Sequence, residues 1–111
     1  MKNNNGGLMN IQYKKGVVEL CILSSLIRND MYGYELSTYI SKEIDISDGT
    51  VYPILRKLKS EGFVTTYLSE NSGGPPRKYY SITESGRNKY RLEAKEWFNF
   101  SEKIKNMLGG F

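Results

Sequence analysis

Histidine is absent from this chain of 111 residues, and cysteine occurs once, at Cys21. Zinc centres that need several Cys or His ligands are therefore out of reach, as are Ser-His-Asp and Cys-His nucleophile systems. A lone cysteine forms no disulfide within the chain, which fits a reducing cytoplasm. No apolar run approaches the roughly 20 residues that a membrane span requires. The Asn- and Gly-rich stretch 1–10 has no apolar secretory core and reads as a disordered lead. Gly73 and Gly74 are not followed by Gly-Lys-Ser/Thr, so they do not form a phosphate-cradling nucleotide loop. Tyr, Lys and Glu remain as acids and bases, but no convergent set of them is visible. The chain is expected not to be an enzyme and to carry neither cofactor nor metal.

What is present fits one domain. The formal net charge is +4, a mild basicity that permits nucleic acid as a partner without requiring it. A first helix is expected from about Ile11 to Arg28. Val17, Val18, Leu20, Cys21, Ile22, Leu23, Leu26 and Ile27 cover most of its circumference, so it is buried on more than one side. One side can pack on its own domain, and the other must find a ligand or another subunit. Cys21 is read as a small core residue. Residues Asn29 to Gly33 read as a turn, and a second helix runs from about Tyr34 to Glu43.

The most informative stretch runs from Gly49 to Val64. Val51, Leu55 and Leu58 recur at i, i+4, i+7 and share one buried face. Thr50, Tyr52, Arg56, Lys57 and Lys59 fall elsewhere on the surface. A small helix with an apolar back and a front of hydroxyls and cations suits the DNA major groove. An ordinary amphipathic helix with a solvated basic face has the same pattern. Ser47 is an N-cap candidate, and Asp48 suits the positive end of the helix dipole. Pro53 leaves the start of this helix open. With Ser47 as cap, the proline lies beyond the free N–H groups, whereas with a start at Gly49 or Thr50 it sits in the first turn.

Phe63–Leu68 and Arg77–Ile82 are rich in β-branched and aromatic residues, and a Ser-, Asn-, Gly- and Pro-rich loop joins them into a hairpin. Thr83 is an N-cap candidate for a final helix of about 25 residues, ~37 Å long at 1.5 Å per residue. On that helix Tyr90, Ala94, Trp97, Ser101, Ile104 and Leu108 recur in steps of 4, 3, 4, 3, 4. This heptad seam, broken only by Ser101, points to a dimer interface.

Helix, helix, basic helix, hairpin and long helix make a mainly α winged helix-turn-helix with a β-hairpin and a long C-terminal dimerisation helix. The expected division is 11–82 for the winged helix DNA-binding domain and 83–108 for the dimerisation helix. The chain resembles the PadR-type transcriptional regulators. The likeness rests on Gly33-Tyr34-Glu35-Leu36, on Gly49-Thr50-Val51-Tyr52-Pro53 with Leu55, Leu58, Glu61 and Gly62, and on the run Arg77 to Gly86. It covers about residues 11–108. It implies a homodimeric cytoplasmic regulator, usually a repressor, that releases DNA on binding a small molecule. The single C-terminal helix is similar to that of the small, multidrug-sensing members. In those, a tryptophan facing its symmetry mate stacks planar aromatic effectors, and Trp97 occupies the matching place. The alternative is that Trp97 simply fills the dimer core, as large aromatics usually do. Gly16, Leu20 and Leu23, on one face of the first helix, are the expected cavity walls. Lys89 and Glu93 either ring the pore or pair with each other at i, i+4.

These readings combine into one expectation. Thr50, Tyr52 and Arg56 approach bases or adjacent phosphates of an inverted-repeat operator in double-stranded DNA, and Lys57 and Lys59 steer toward phosphates. Lys14, Lys15 and Tyr34 touch the backbone, and Arg77 and Lys78 of the wing reach the neighbouring minor groove. The competing expectation is a winged-helix protein-interaction module without specific DNA binding.

Overall fold

The computed structural model describes residues 11–70 and 73–109, with side chains from residue 16 onward. The expected lead, 1–10, and the side chains of Lys14 and Lys15 lie outside the described residues. Helix α1 (Ile11–Arg28) carries its apolar residues on two faces, and the structure separates them. Val18, Ile22, Leu23 and Leu26 enter the core, whereas Val17, Leu20, Cys21 and Ser24 look into a cleft. Cys21 is thus a cleft-wall residue packed against the edge of the core, and burial raises its thiol pKa.

Strand β1 (Met31–Tyr32) follows, where a plain turn was expected. Two residues are too few to show strand periodicity. Pairing with a distant strand creates this one, with Met31 opposite Tyr80 and Tyr32 opposite Tyr79. Helix α2 (Gly33–Ile44) contributes Leu36 and Ile40 to the core. Helix α3 (Asp48–Ser60) contributes Val51, Ile54, Leu55 and Leu58. The α3 start settles the question left by Pro53, which lies within the helix beyond its first turn. Ser47 has the extended backbone of an N-cap, but its side chain caps nothing. Its Oγ lies 3.1 Å from the Thr50 hydroxyl instead.

Gly62 ends α3 in the left-handed region, at φ 83°. The Phe63 N–H donates to the Leu58 carbonyl at 2.9 Å and the Gly62 N–H to that of Lys59 at 3.0 Å. This is a Schellman turn, which satisfies the last carbonyls and reverses the chain at a position where a Cβ would be strained. Strands β2 (Val64–Ser69) and β3 (Arg77–Ile82) then form the hairpin, in register from Val64 opposite Ile82 to Ser69 opposite Arg77. The sheet is antiparallel with order β1-β3-β2.

Helix α4 (Glu84–Met107) is capped as expected, the Gly86 N–H donating to Thr83 Oγ1 at 3.0 Å. The Thr83 hydroxyl donates to the Gly62 carbonyl at 2.7 Å, and its backbone N–H to that of Phe63. The root of α4 is thereby tied to the turn that ends α3. Beyond that root, α4 packs mainly on α1. Phe98, Phe100, Met107 and Leu108 are exposed along it. Together these elements are a helix-turn-helix (α2, α3), a wing (β2, β3) and a long C-terminal helix.

Candidate nucleic-acid interface

Spacing divides the surface of α3. Tyr52, Arg56 and Lys59 at i, i+4, i+7 share one side, and Thr50 and Lys57, seven apart, share the opposite flank. The structure follows that division. Tyr52 and Arg56 line a cleft of about 360 Å³ between α3, the start of α2 and strand β3 of the wing. Tyr32, Gly33, Tyr34, Arg77, Lys78 and Tyr80 complete it. Gly33 packs closely here: a Cβ would stand 3.3 Å from the Tyr80 ring, a tight contact, and 3.7 Å from that of Tyr52. Every charged residue on this cleft is a cation.

Lys57 is turned away from that side. Its Nζ donates to Glu19 Oε2 on α1 at 2.8 Å and lies 3.8 Å from Glu61. Its hydrogen bond to Glu19 and the attraction of that carboxylate raise its pKa. Thr50 is half-buried and Lys59 is exposed. The five α3 residues grouped in the sequence therefore do not form one surface, because a run of thirteen helical residues wraps around the whole circumference.

The wing is braced by tyrosines. The Arg77 guanidinium lies 4.5 Å from the centre of the Tyr32 ring. Tyr79 leans on Tyr32 at 5.8 Å and stacks on Tyr67 at 5.6 Å. The Tyr67 hydroxyl donates to Asp30 at 2.6 Å, which raises the pKa of the phenol. Residues Asp30, Tyr32 and Tyr67 were not singled out in the sequence. The short strand β1 that gathers them carries no local signal.

Besides their shared core, α3 and α2 are tied by Asp48. Its Oδ1 accepts from Ser37 and Ser41, both at 2.8 Å, and the Ser37 bond, followed by that of Ser41, lowers its pKa. Ser37 is wholly buried, so Asp48→Ala strands a buried hydroxyl. That variant is expected to lower the urea midpoint, while Asp48→Asn, which keeps an acceptor oxygen, loses less. Because the folded carboxyl titrates below its unfolded value, its contribution is present above the ordinary aspartate range. It is lost as pH falls through the depressed value. Urea midpoints from pH 7 down to pH 3 should therefore fall more steeply for the unmodified chain than for Asp48→Ala.

A second cleft, of about 350 Å³, lies between α1, α2 and α4. Leu20, Tyr90, Ala94 and Trp97 line it, as do Arg28, Tyr39, Glu43, Ile44 and Phe98, which the sequence did not mark. Trp97 is half-buried there and meets Phe98 edge-on at 5.4 Å. Two expected wall residues, Leu23 and Gly16, stand elsewhere, and Lys89 and Glu93 take the pairing alternative. Leu23 is wholly buried in the core, because α1 turns that face toward its own domain. Lys89 and Glu93 pair with each other at 2.8 Å beside Glu19, outside the cleft lining. Gly16 is exposed, with open space where a Cβ would stand. Of the seam, Ser101 is half-buried, and Ile104 and Leu108 are exposed.

Residues 22–92 match the Transcriptional regulator PadR-like family. The chain belongs to the PadR-like family of transcriptional regulators. It is similar to the crystal structure of a PadR-like transcriptional regulator from Bacillus cereus, with 37% identity and a TM-score of 0.81, over 90% of this chain and 99% of that one. A Streptococcus transcriptional regulator is 30% identical at a TM-score of 0.81, over 90% of this chain and 100% of that one. The negative transcriptional regulator PadR of Bacillus subtilis is 29% identical over 64% of this chain, but only 41% of that protein is spanned. PadR-like proteins are DNA-binding transcription regulators rather than enzymes. Among the described residues, no helix is long and apolar enough to cross a membrane.

Proposed function

We propose that this PadR-like protein is a homodimeric, cytoplasmic repressor that reads an inverted-repeat operator and is released by a planar aromatic effector. The observation that carries the DNA contact is the tyrosine-lined cleft joining α3 to the wing, whose charged side chains, Arg56, Arg77 and Lys78, are all cations. Tyr52 and Arg56 approach base edges. Tyr34, Arg77 and Lys78, with Lys59 and the N-terminal Lys14 and Lys15, meet phosphates or the minor groove. Thr50 and Lys57 lie on the flank of the helix and touch at most its border.

What supports a dimer is the apolar stripe of α4 that runs past the domain, from Trp97 through Ile104 to Leu108, with Met107 82% exposed. A second copy covers such a stripe with the same stripe. Residues 11–82 then act as the DNA-binding unit and 83–108 as the dimerisation helix. What supports an effector is the α1–α2–α4 cleft, which is largely apolar and aromatic and offers the Trp97 ring. Occupying it shifts the dimer only by the ligand's differential affinity for the DNA-bound and released shapes.

The test titrates a planar cationic dye, ethidium, into the protein while Trp97 fluorescence is followed. The unmodified chain is expected to quench and saturate. Trp97→Ala, followed by dye anisotropy, is expected to weaken binding about tenfold or more with DNA binding nearly intact. Equal dye affinity in the two proteins would remove Trp97 from the effector site.

A further inference from the structure

Four charged side chains join three helices at one point, outside both clefts. Glu19 of α1 holds Lys57 of α3 with Oε2 at 2.8 Å, and its Oε1 lies 3.6 Å from Lys89 of α4. Lys89 also donates to Glu93, one turn before Trp97, at 2.8 Å. The Glu19 and Lys89 side chains are each only 17% exposed, whereas that of Lys57 is 54% exposed. Burial works against the charge of Lys89, yet its acidic partners Glu93 and Glu19 hold its pKa above the ordinary lysine value. A solvated surface pair would be worth little, but a carboxylate this shielded cannot lose one lysine without changing its hold on the other. Lys89 makes a second link to α3, its Nζ lying 4.9 Å from the centre of the ring of Phe63, the residue that closes the α3 turn.

We propose that Glu19 is a positioning residue for α3, coupling the placement of the C-terminal helix to that of the reading helix through one carboxylate. The two oxygens serve two helices, so a shift of α4 that carries Lys89, still paired with Glu93, away from Glu19 leaves Glu19 to Lys57 alone. A shift the other way makes the two lysines share it. The assignment rests on the DNA-reading role of α3 proposed above.

The experiment uses the full chain. Duplexes are first enriched from a randomised pool by the unmodified protein. Affinity for the enriched duplex and for random duplex is then measured for each variant, together with its thermal midpoint. Lys89→Met is expected to cut the preference for the enriched duplex about three- to tenfold, the size of coupling found between contacting residues. Lys103→Met removes the same charge from an exposed site on α4 and is expected to leave the preference unchanged. In a Glu19→Gln background Lys89→Met should have no further effect, and Lys89→Arg should retain the preference. If Glu19→Gln does not fold, Lys57→Met replaces it as the background, with the same cancellation expected.

Equal effects of Lys89→Met and Lys103→Met would overturn the assignment. So would effects of Lys89→Met and Glu19→Gln that simply multiply, or a preference that only tracks the thermal midpoint. If the unmodified protein enriches no duplex, specific reading by α3 fails and this coupling fails with it.

Discussion

Arg56→Ala is expected to weaken binding to the operator by about 1–3 kcal/mol, roughly five- to 150-fold, and to relax the choice of base at one position in each half-site. Arg56 is exposed on the side of α3 that faces the wing, and among the described residues no carboxylate pairs with it. Its planar fork can engage two acceptors on one base edge, which a lysine cannot do. Lys57, on the other flank of α3, is occupied by Glu19, so Lys57→Ala should cost less on the same duplex. The check is anisotropy with operator and random duplexes side by side. A loss of equal size on both would make Arg56 a phosphate contact and nothing more.

Gly86→Ala is expected to destabilise the fold by about 3 kcal/mol or more, at or beyond the upper end for an overpacked site. Gly86 is buried in the first turn of α4. A Cβ there would meet the Phe63 carbonyl oxygen and stand 2.8 Å from Ile82 Cγ1. The carbonyl cannot swing aside, because it accepts from the Thr83 backbone N–H at 3.1 Å. Relief therefore requires α4 to lift from the α3–β2 turn, which also displaces the helix that carries Trp97. Gly74→Ala is the control. A Cβ there meets nothing within 4 Å, and the change should stay within about 0.5 kcal/mol. Urea unfolding at one fixed protein concentration checks both, and a Gly86→Ala midpoint equal to the unmodified one would contradict the packing described for α4.

The elements that carry their own local signal were legible in the sequence. The α3 periodicity of Val51, Leu55 and Leu58 became its buried face, Thr83 capped α4, and the hairpin formed around the Ser-, Gly- and Pro-rich loop. What escaped depends on partners distant in the chain. Strand β1 exists through Tyr32 and Met31 pairing with β3. The α1 residues split between core and cleft according to which helices pack on each face, so Leu23 went inside while Leu20 lines the cleft. Lys57 looked like one of several cations on a reading surface until Glu19, thirty-eight residues earlier, took it. Ser47 looked like a side-chain cap, but its hydroxyl turned to Thr50. A helix in isolation does not say which of its sides a neighbour will claim.

In the function proposed above, α3 and the wing read a particular DNA sequence as a symmetric pair. Its most direct measurement is anisotropy of a labelled duplex recovered from a randomised pool, titrated with the protein at two salt concentrations against excess random DNA. Saturable binding that survives the competitor and weakens steeply with salt is expected. The recovered sequence should be an inverted repeat with half-sites about one helical turn, or a multiple of it, apart. Binding that random DNA abolishes at both salt concentrations, with no sequence enriched, would contradict that function.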